Sequence, residues 1–414
     1  MKAAAALFLI ASLFGLTMRF MFVGELPGLN YKHLLHAHSH IALMGWAYML
    51  VSGALLFLFI GATRHSAFFK TIFVTNVVAS IGMAVAFSLQ GYGAISIAFS
   101  TLHLFAVYGF SYQFLKELRR NNQNDATKLA SWSVYWLLIS TIGLWAVGPV
   151  GAMLGRQHPV FYMCIQFFLH FQLNGWLTFA VLSLILQHAQ RSDPSARIPS
   201  HAFWMLQLSL LLTYTLSVTW SNPIPALFYI NSIGVVLQSI AFALILWPLR
   251  KVENLAMVAS DWRQWLLLAG VACLLLKVLV HVAVALPMVA SISYTIKNFV
   301  IGFIHLVVIG SVTLSVAGIL LQRGLLPSDG ITGIGWQLLL AAFILTEILL
   351  MGQGLLLWLE VGFIPNYHLF LFAASGLFPV ALSVILSGFW RHSSSAVTTS
   401  IPINQSITNQ IQSS

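Results

Sequence analysis

Runs of about 20 apolar residues follow one another along almost the whole of this 414-residue sequence. A helix of that length crosses the hydrocarbon core of a bilayer. Hydrophobic residues make up 59% of the chain and charged residues only 7%, and the mean hydropathy is +0.90. No soluble domain keeps such a surface in water, so the sequence predicts an all-α polytopic membrane protein. The twelve predicted transmembrane helices cover about residues 3–24, 33–60, 67–90, 93–116, 131–154, 158–187, 202–219, 224–248, 264–286, 298–321, 335–358 and 366–390.

The loops between these helices are short, so residues 1–392 are expected to form one transmembrane domain without a soluble catalytic module. The N-terminal apolar run continues to Val23 with no small-residue cleavage site, and we interpret it as a retained first helix. Residues 393–414 are polar and uncharged, which predicts a disordered cytoplasmic tail. Cys164 and Cys273 fall inside helices in no C-x-x-C pair, which favours small buried side chains over metal ligands.

The formal net charge of +10 indicates orientation rather than a nucleic-acid partner. Fourteen of the 19 Lys and Arg residues fall on one alternating set of loops and ends. The positive-inside rule then predicts that both termini lie in the cytoplasm. The membrane expected to hold the chain is the inner (plasma) membrane of the cell. The lipid bilayer is therefore the expected partner. The fourteen are Lys2, Arg64, Lys70, Lys116, Arg119, Arg120, Lys128, Arg191, Arg197, Arg250, Lys251, Arg263, Arg323 and Arg391.

Nine histidines lie on even-numbered predicted helices, which enter the membrane from its outer face in this orientation. By the helical rise, His40 is roughly 10 Å below His33, and His305 roughly 12 Å below Lys297. His170 lies deeper, roughly 18 Å below His158. The rings therefore gather in the outer half of the membrane, where a titratable side chain is costly and indicates a functional site.

Four of these histidines open predicted helix 2, in the stretch HLLHAHSHIALMGW. His33, His36 and His40 share one face of the helix, and His38 points elsewhere. Imidazoles at this spacing suit a metal or haem pocket inside a bundle. Hydrogen bonding to water and headgroups explains His33 and His38 equally well, whereas successive rings on a buried face favour ligation by His36 and His40.

A histidine followed five residues later by glycine occurs on predicted helices 2, 6 and 10. The sequences are HIALMGWAYMLVSGALL, HFQLNGWLTFAVLSLIL and HLVVIGSVTLSVAGILL, which begin at His40, His170 and His305. They stand four helices apart each time, which predicts a pseudo-threefold array of four-helix units. Each glycine leaves space for a close neighbour, either a helix or a flat macrocycle. Internal symmetry is also common in transporters, so the repeat supports the architecture more firmly than the chemistry.

Three short motifs, together with this layout, resemble subunit I of the haem–copper oxidase superfamily. HSHIALMGW is similar to the H-x-H followed by G-W of C-type members. HPVFY, with His158, Pro159 and Tyr162, is similar to the H-P-x-x-Y of the copper-binding helix 6. His305 falls where the family places the low-spin haem ligand of helix 10. The resemblance implies a pseudo-threefold bundle of twelve helices, a b-type haem with copper as a further candidate metal, and respiratory subunits or a cytochrome donor as partners.

The sequence also departs from that family. Phe303 stands where a high-spin haem ligand is expected, predicted helix 7 has no pair of histidines, and no arginine pair follows for haem propionates. The resemblance therefore implies a low-spin haem between His36 or His40 and His305, with no standard oxygen-reducing centre, and leaves enzymatic activity open. Further candidate metal ligands are His38, His103, His158, His170 and His368.

Other ionisable residues lie inside predicted helices. Lys277 and His281 share a face of helix 9, and Glu347 lies in helix 11. A structural ion pair and a proton path explain Lys277 and Glu347 equally well. Arg19 is expected to extend to the headgroups.

Three functions are compatible with these features. The first is a haem-binding redox protein that passes electrons across the outer half of the membrane. The alternative is a transporter or copper-handling protein that uses the histidine cluster. The third is a scaffold or sensor that keeps the fold without a cofactor.

The orientation can be tested by labelling cysteines in intact cells. A cysteine introduced at Gln123 is expected to resist a membrane-impermeant maleimide because the basic loops face the cytoplasm. A cysteine at Leu29, in the loop ELPGLNYK, is expected to react. The parent, with Cys164 and Cys273, gives the background, and efficient labelling at position 123 from outside would contradict both the orientation and the depth assigned to the histidines.

Overall fold

The computed structural model describes residues 1–61, 67–121, 123–249 and 261–398, with side chains up to Arg391. These residues form helices and loops, and none of them lies in a strand. Twelve helices are long and apolar enough to cross a membrane, as the sequence predicts. They are α1 Lys2–Phe20, α2 Tyr31–Ile60, α3 Ala67–Gln90, α4 Ala94–Leu118, α5 Asp125–Met153, α6 Pro159–Ser192, α7 Ser200–Thr219, α8 Pro225–Leu249, α9 Trp262–Ala283, α10 Lys297–Gln322, α11 Gly330–Trp358 and α12 Tyr367–Arg391. A short helix, Pro287–Thr295, connects α9 to α10.

The observed helix limits differ from the predicted ones mainly where capping residues extend a helix. Helix α5 begins at Asp125, six residues before the predicted start, because the Asn124 side chain accepts from the Thr127 backbone N–H at 2.9 Å. The last helix continues as far as Thr398, into the segment predicted to be a tail. Residues 399–414 of that segment lie outside the described residues, as do Arg64, Arg250 and Lys251 of the orientation argument.

Three helices form the centre of the bundle, and they are the three that carry the histidine–glycine repeat. The share of the apolar window that is buried is 83% in α2, 94% in α6 and 67% in α10, against 28% to 44% in the other nine. The central helices are thus four apart in the chain, as the repeat predicts. We call α2, α6 and α10 the inner helices.

The inner helices contact one another at the end of the bundle opposite the histidines, through residues 48–55, 178–192 and 315–322. A chain of hydrogen bonds joins all three there. Arg323, just after α10, donates to Gln187 Oε1 on α6 at 2.5 Å, and Gln187 Nε2 donates to Leu58 O on α2 at 3.0 Å. Carbonyl groups near the end of a helix have no partner within that helix, so Gln187 satisfies one that α2 leaves open. We call these three residues the clasp.

Helices α9 and α10 approach so closely that only glycine fits at their contact. A Cβ atom on Gly318 would lie 2.6 Å from the backbone N of Leu267, and one on Gly270 would lie 2.4 Å from the backbone N of Ser315. Such small residues let helix backbones approach within a membrane.

Gly318→Ala is expected to destabilise the protein by about 1–3 kcal/mol because the added methyl group forces two backbones apart. The matched control is Gly352→Ala on α11, where an added Cβ meets no atom within 4 Å. The measurement is the midpoint of thermal unfolding in detergent. Equal midpoints for the two variants would contradict this account of the α9–α10 contact.

Candidate functional site

A π-helical segment follows the repeat histidine in each inner helix. These segments are Ile41–Ala47 after His40, Phe171–Leu177 after His170, and Leu306–Leu314 after His305. The first two each contact the third, so the wide turns meet at the centre of the bundle. Such segments are rare and are frequent at functional sites. The H-x4-G repeat of the sequence therefore corresponds to a local structure that occurs three times.

Hydroxyl groups complete the backbone hydrogen bonding of two π segments. Thr178 Oγ1 donates to Leu173 O and Thr313 Oγ1 donates to Val308 O, each at 2.8 Å and each five residues back. Both threonines stand eight residues after the repeat histidine, a position that Tyr48 fills in α2. Reading the repeat as H-x4-G-x2-[T/Y] identifies these residues, which the shorter motif misses.

The repeat glycines pack against neighbouring helices. An added Cβ would lie 3.1 Å from Ser80 Oγ at Gly45, 2.8 Å from Trp136 Cβ at Gly175, and 2.7 Å from Phe343 Cζ at Gly310. Of the two neighbours that the sequence left open, a helix and a flat macrocycle, the helix is the one that lies there.

His36 and His40 share a face of α2, as predicted, and that face is covered by aromatic residues of α3 and the loop after it. His40 Nδ1 donates to His36 O at 2.8 Å, and the His40 ring lies 4.1 Å from the Phe87 ring between centroids. Tyr92 lies edge-on to His36 at 4.6 Å, and its hydroxyl is 3.4 Å from His40 Nε2.

His38 points to the opposite side of α2, towards α1. Its Nδ1 donates to Ala11 O at 2.8 Å, and its Cε1 lies 3.1 Å from where a Cβ on Gly15 would stand. The bond to a carbonyl oxygen fixes Nδ1 as the protonated nitrogen and leaves Nε2 as the lone-pair nitrogen. No hydrogen bond to Nε2 occurs among the described residues.

His305 lies next to Glu347 of α11. Its Nδ1 is buried without a hydrogen bond, 4.0 Å from Glu347 Oε1, which is also buried without one. Nε2 makes no hydrogen bond to any described residue, and 26% of the side chain is exposed, so this nitrogen faces open space. Electrostatic interactions link His305 to His38 and to Arg19. Arg19, expected to extend to the headgroups, is half-buried, and its positive charge acts on both rings.

Two other predicted ligands have their ring nitrogens directed at protein atoms. His103, buried on α4, bonds through Nδ1 to Asn76 Oδ1 at 2.5 Å and lies edge-on to Tyr48. His170 donates through Nε2 to Leu210 O at 2.9 Å, while Asn174 Nδ2 lies 3.3 Å from Nδ1. Both nitrogens of His170 are therefore occupied, and this neutral ring fits a structural role.

The two remaining predicted metal ligands lie at the protein surface. His158 is exposed and caps α6, where its Nδ1 accepts from the Val160 backbone N–H at 3.3 Å. His368 is exposed and stacks on Phe22 with ring centroids 5.0 Å apart. The structure does not bring either of them to the inner histidines.

Lys277 and Glu347 form bonds with different partners. Lys277, fully buried on α9, donates to Thr178 Oγ1 at 3.0 Å, whereas the ionisable neighbour of Glu347 is His305. His281, one turn after Lys277, bonds through Nδ1 to Gln238 Oε1 at 2.6 Å. The ionisable residues of the interior thus fall into separate groups on the α10–α11 side and the α6–α9 side.

Within residues 1–61, 67–121, 123–249 and 261–398, no group of three or more His, Cys, Asp or Glu side chains is arranged to hold a metal ion. Cys164 and Cys273 are free and partly buried. On the inner helices, the described chain offers two imidazoles, His38 and His305, whose Nδ1 faces an oxygen atom and whose Nε2 makes no hydrogen bond.

No model of a known protein family matches the sequence, and no curated protein matches it.

The contribution of the His103–Asn76 hydrogen bond to stability can be tested with a double-mutant cycle. Asn76→Leu is expected to cost about 1–3 kcal/mol because it leaves the buried His103 Nδ1 without its partner. Adding His103→Leu removes the stranded group, so the double variant is expected to lose less stability than the two single changes summed. Thermal unfolding in detergent supplies the values. Strict additivity would mean that the bond does not stabilise the fold.

Proposed function

We propose that this chain is an integral membrane redox protein that binds a low-spin b-type haem between His38 and His305. The observation that carries the proposal is their shared arrangement: each ring directs Nδ1 towards an oxygen atom and leaves Nε2 unbonded. A ligating histidine characteristically donates its other ring N–H to a carbonyl or carboxylate, which fixes the tautomer and the ring orientation. Ala11 O and Glu347 Oε1 are those acceptors.

Glu347 and His305 support ligation because each has a buried polar atom without a hydrogen bond. The two facing atoms are buried, have no other partner and stand 4.0 Å apart, beyond hydrogen-bond distance. A small rotation of either side chain closes the gap and satisfies both atoms. That rotation would give the Nδ1–H of His305 the acceptor that a metal-ligating histidine characteristically has.

His38 takes the role that the sequence predicted for His36 or His40, which is to hold the haem together with His305. Residues two apart on a helix point about 200° apart, so one side of α2 faces α1 and the other faces α3. His40 packs on Phe87, on the α3 side, while His38 and Arg19 are the groups linked electrostatically to His305. This geometry favours His38 as the axial partner.

Arg19 gives the proposed site a cation for an anionic substituent. The sequence has no arginine pair of the kind that meets haem propionates in the family it resembles. A single guanidinium whose charge acts on both His38 and His305 could hold one propionate through two parallel hydrogen bonds.

The proposed activity is electron transfer. A bound haem supplies a one-electron couple, and the chain fixes the two imidazoles and surrounds them with apolar helices. Phe303 packs against the His281 ring at 5.5 Å, in the region where the resembled family holds its second haem. The proposal therefore includes no oxygen-reducing centre. It includes an inner-membrane location with both termini in the cytoplasm and a cytochrome or respiratory subunit as electron partner.

The experiment compares reduced-minus-oxidised spectra of purified parent, His38→Ala, His305→Ala, His40→Ala and His170→Ala at matched protein level. The first two changes are expected to abolish the low-spin signal because each removes an axial ligand. His40→Ala and His170→Ala are expected to keep it, since those rings bond elsewhere.

The alternatives give different results. Loss in His40→Ala with retention in His38→Ala would assign the second axial position to His40. A colourless parent that binds copper stoichiometrically would replace the redox proposal with copper handling or transport. A colourless parent without metal would leave the scaffold or sensor.

A further inference from the structure

Lys277 is a fully buried cation for which the described chain supplies no counter-charge. Its relative exposure is 0%, and its ammonium donates to one group, Thr178 Oγ1, at 3.0 Å. None of the four ion pairs found among the described residues includes it, and Glu347 lies beside His305 instead. A buried ammonium without a paired anion is strongly disfavoured.

The π segment of α6 holds the single partner of Lys277 in place. Thr178 gives its proton to Leu173 O, so its oxygen is left to accept from the ammonium. An ammonium has three donors, and this bond uses one. The other two have no acceptor among the described side chains and backbone groups.

Several polar side chains lie near Lys277 inside the bundle. His170 and Asn174 precede Thr178 on α6, and Asn174 Oδ1 is buried without a partner. His281 lies one turn along α9, and both His170 and Lys277 interact with it electrostatically. Buried polar groups of α6 and α9 thus lie around Lys277, which favours a polar ligand there.

We propose that Lys277, held in place by Thr178, binds a small monovalent anion between α6 and α9. One ammonium charge balances one negative charge, and its two spare donors suit a compact acceptor such as chloride or nitrate. The site shares no residue with the proposed haem pair on α2 and α10. It therefore stands independently of the proposed function.

The experiment measures thermal unfolding of the purified full-length protein against chloride concentration, with gluconate keeping the ionic strength constant. A ligand that binds only the folded state stabilises it, so the parent midpoint is expected to rise by about 4 °C or more at 100 times the dissociation constant. Lys277→Met is expected to abolish the rise. Thr178→Val is expected to keep the rise but weaken the apparent affinity about tenfold, because it removes the hydroxyl that orients the ammonium.

Two controls separate this site from the rest of the protein. Lys297→Met removes an exposed lysine at the start of α10 and is expected to leave the chloride response unchanged. His305→Ala is expected to leave it unchanged as well, even though it removes a proposed haem ligand. The proposal is overturned if the parent responds to neither chloride nor nitrate, or if Lys277→Met responds as the parent does.

Discussion

Every backbone N–H and C=O of this chain that lies in hydrocarbon needs a partner within the protein, and that requirement governs its centre. A π segment widens the helix and lengthens the backbone hydrogen bonds by one residue. The hydroxyls of Thr178 and Thr313 satisfy carbonyls at such segments, each five residues back. The inner helices can therefore contain π turns that are fully buried in the protein. The position of each repeat histidine follows, because each one is the last α-helical residue before the turn widens.

This placement divides the polar interior into separate groups. His38 and His305 lie on the side of α1 and α11 with Glu347. His40 lies on the side of α3, and Lys277 lies between α6 and α9. The three inner helices share one sequence motif, yet the polar groups around each of them differ. The repeat supplies a common frame, and residues outside the repeat decide what each unit holds.

The hydropathy of the sequence predicted the number of spanning helices, and the H-x4-G spacing predicted which three lie inside. Both are local properties, since a bilayer fixes helix length and a repeated pattern marks equivalent positions. The π segments were not predictable in this way, because runs such as IALMGWA and LVVIGSVTL are apolar on every side. The pairing of His36 with His40 on one face followed from helix geometry, whereas the neighbour each face meets depends on how α1 and α3 cross α2. For the same reason Lys277 and Glu347 were considered as partners, although α9 and α11 direct them to different groups.

The clasp formed by Arg323, Gln187 and the carbonyl of Leu58 ties the three inner helices at one end only. When a helix is held near one end and tilts, its displacement grows towards the other, free end. The histidines lie towards that free end. Small rotations of the inner helices about the clasp would therefore change the distances between rings on different helices more than the distances within the clasp.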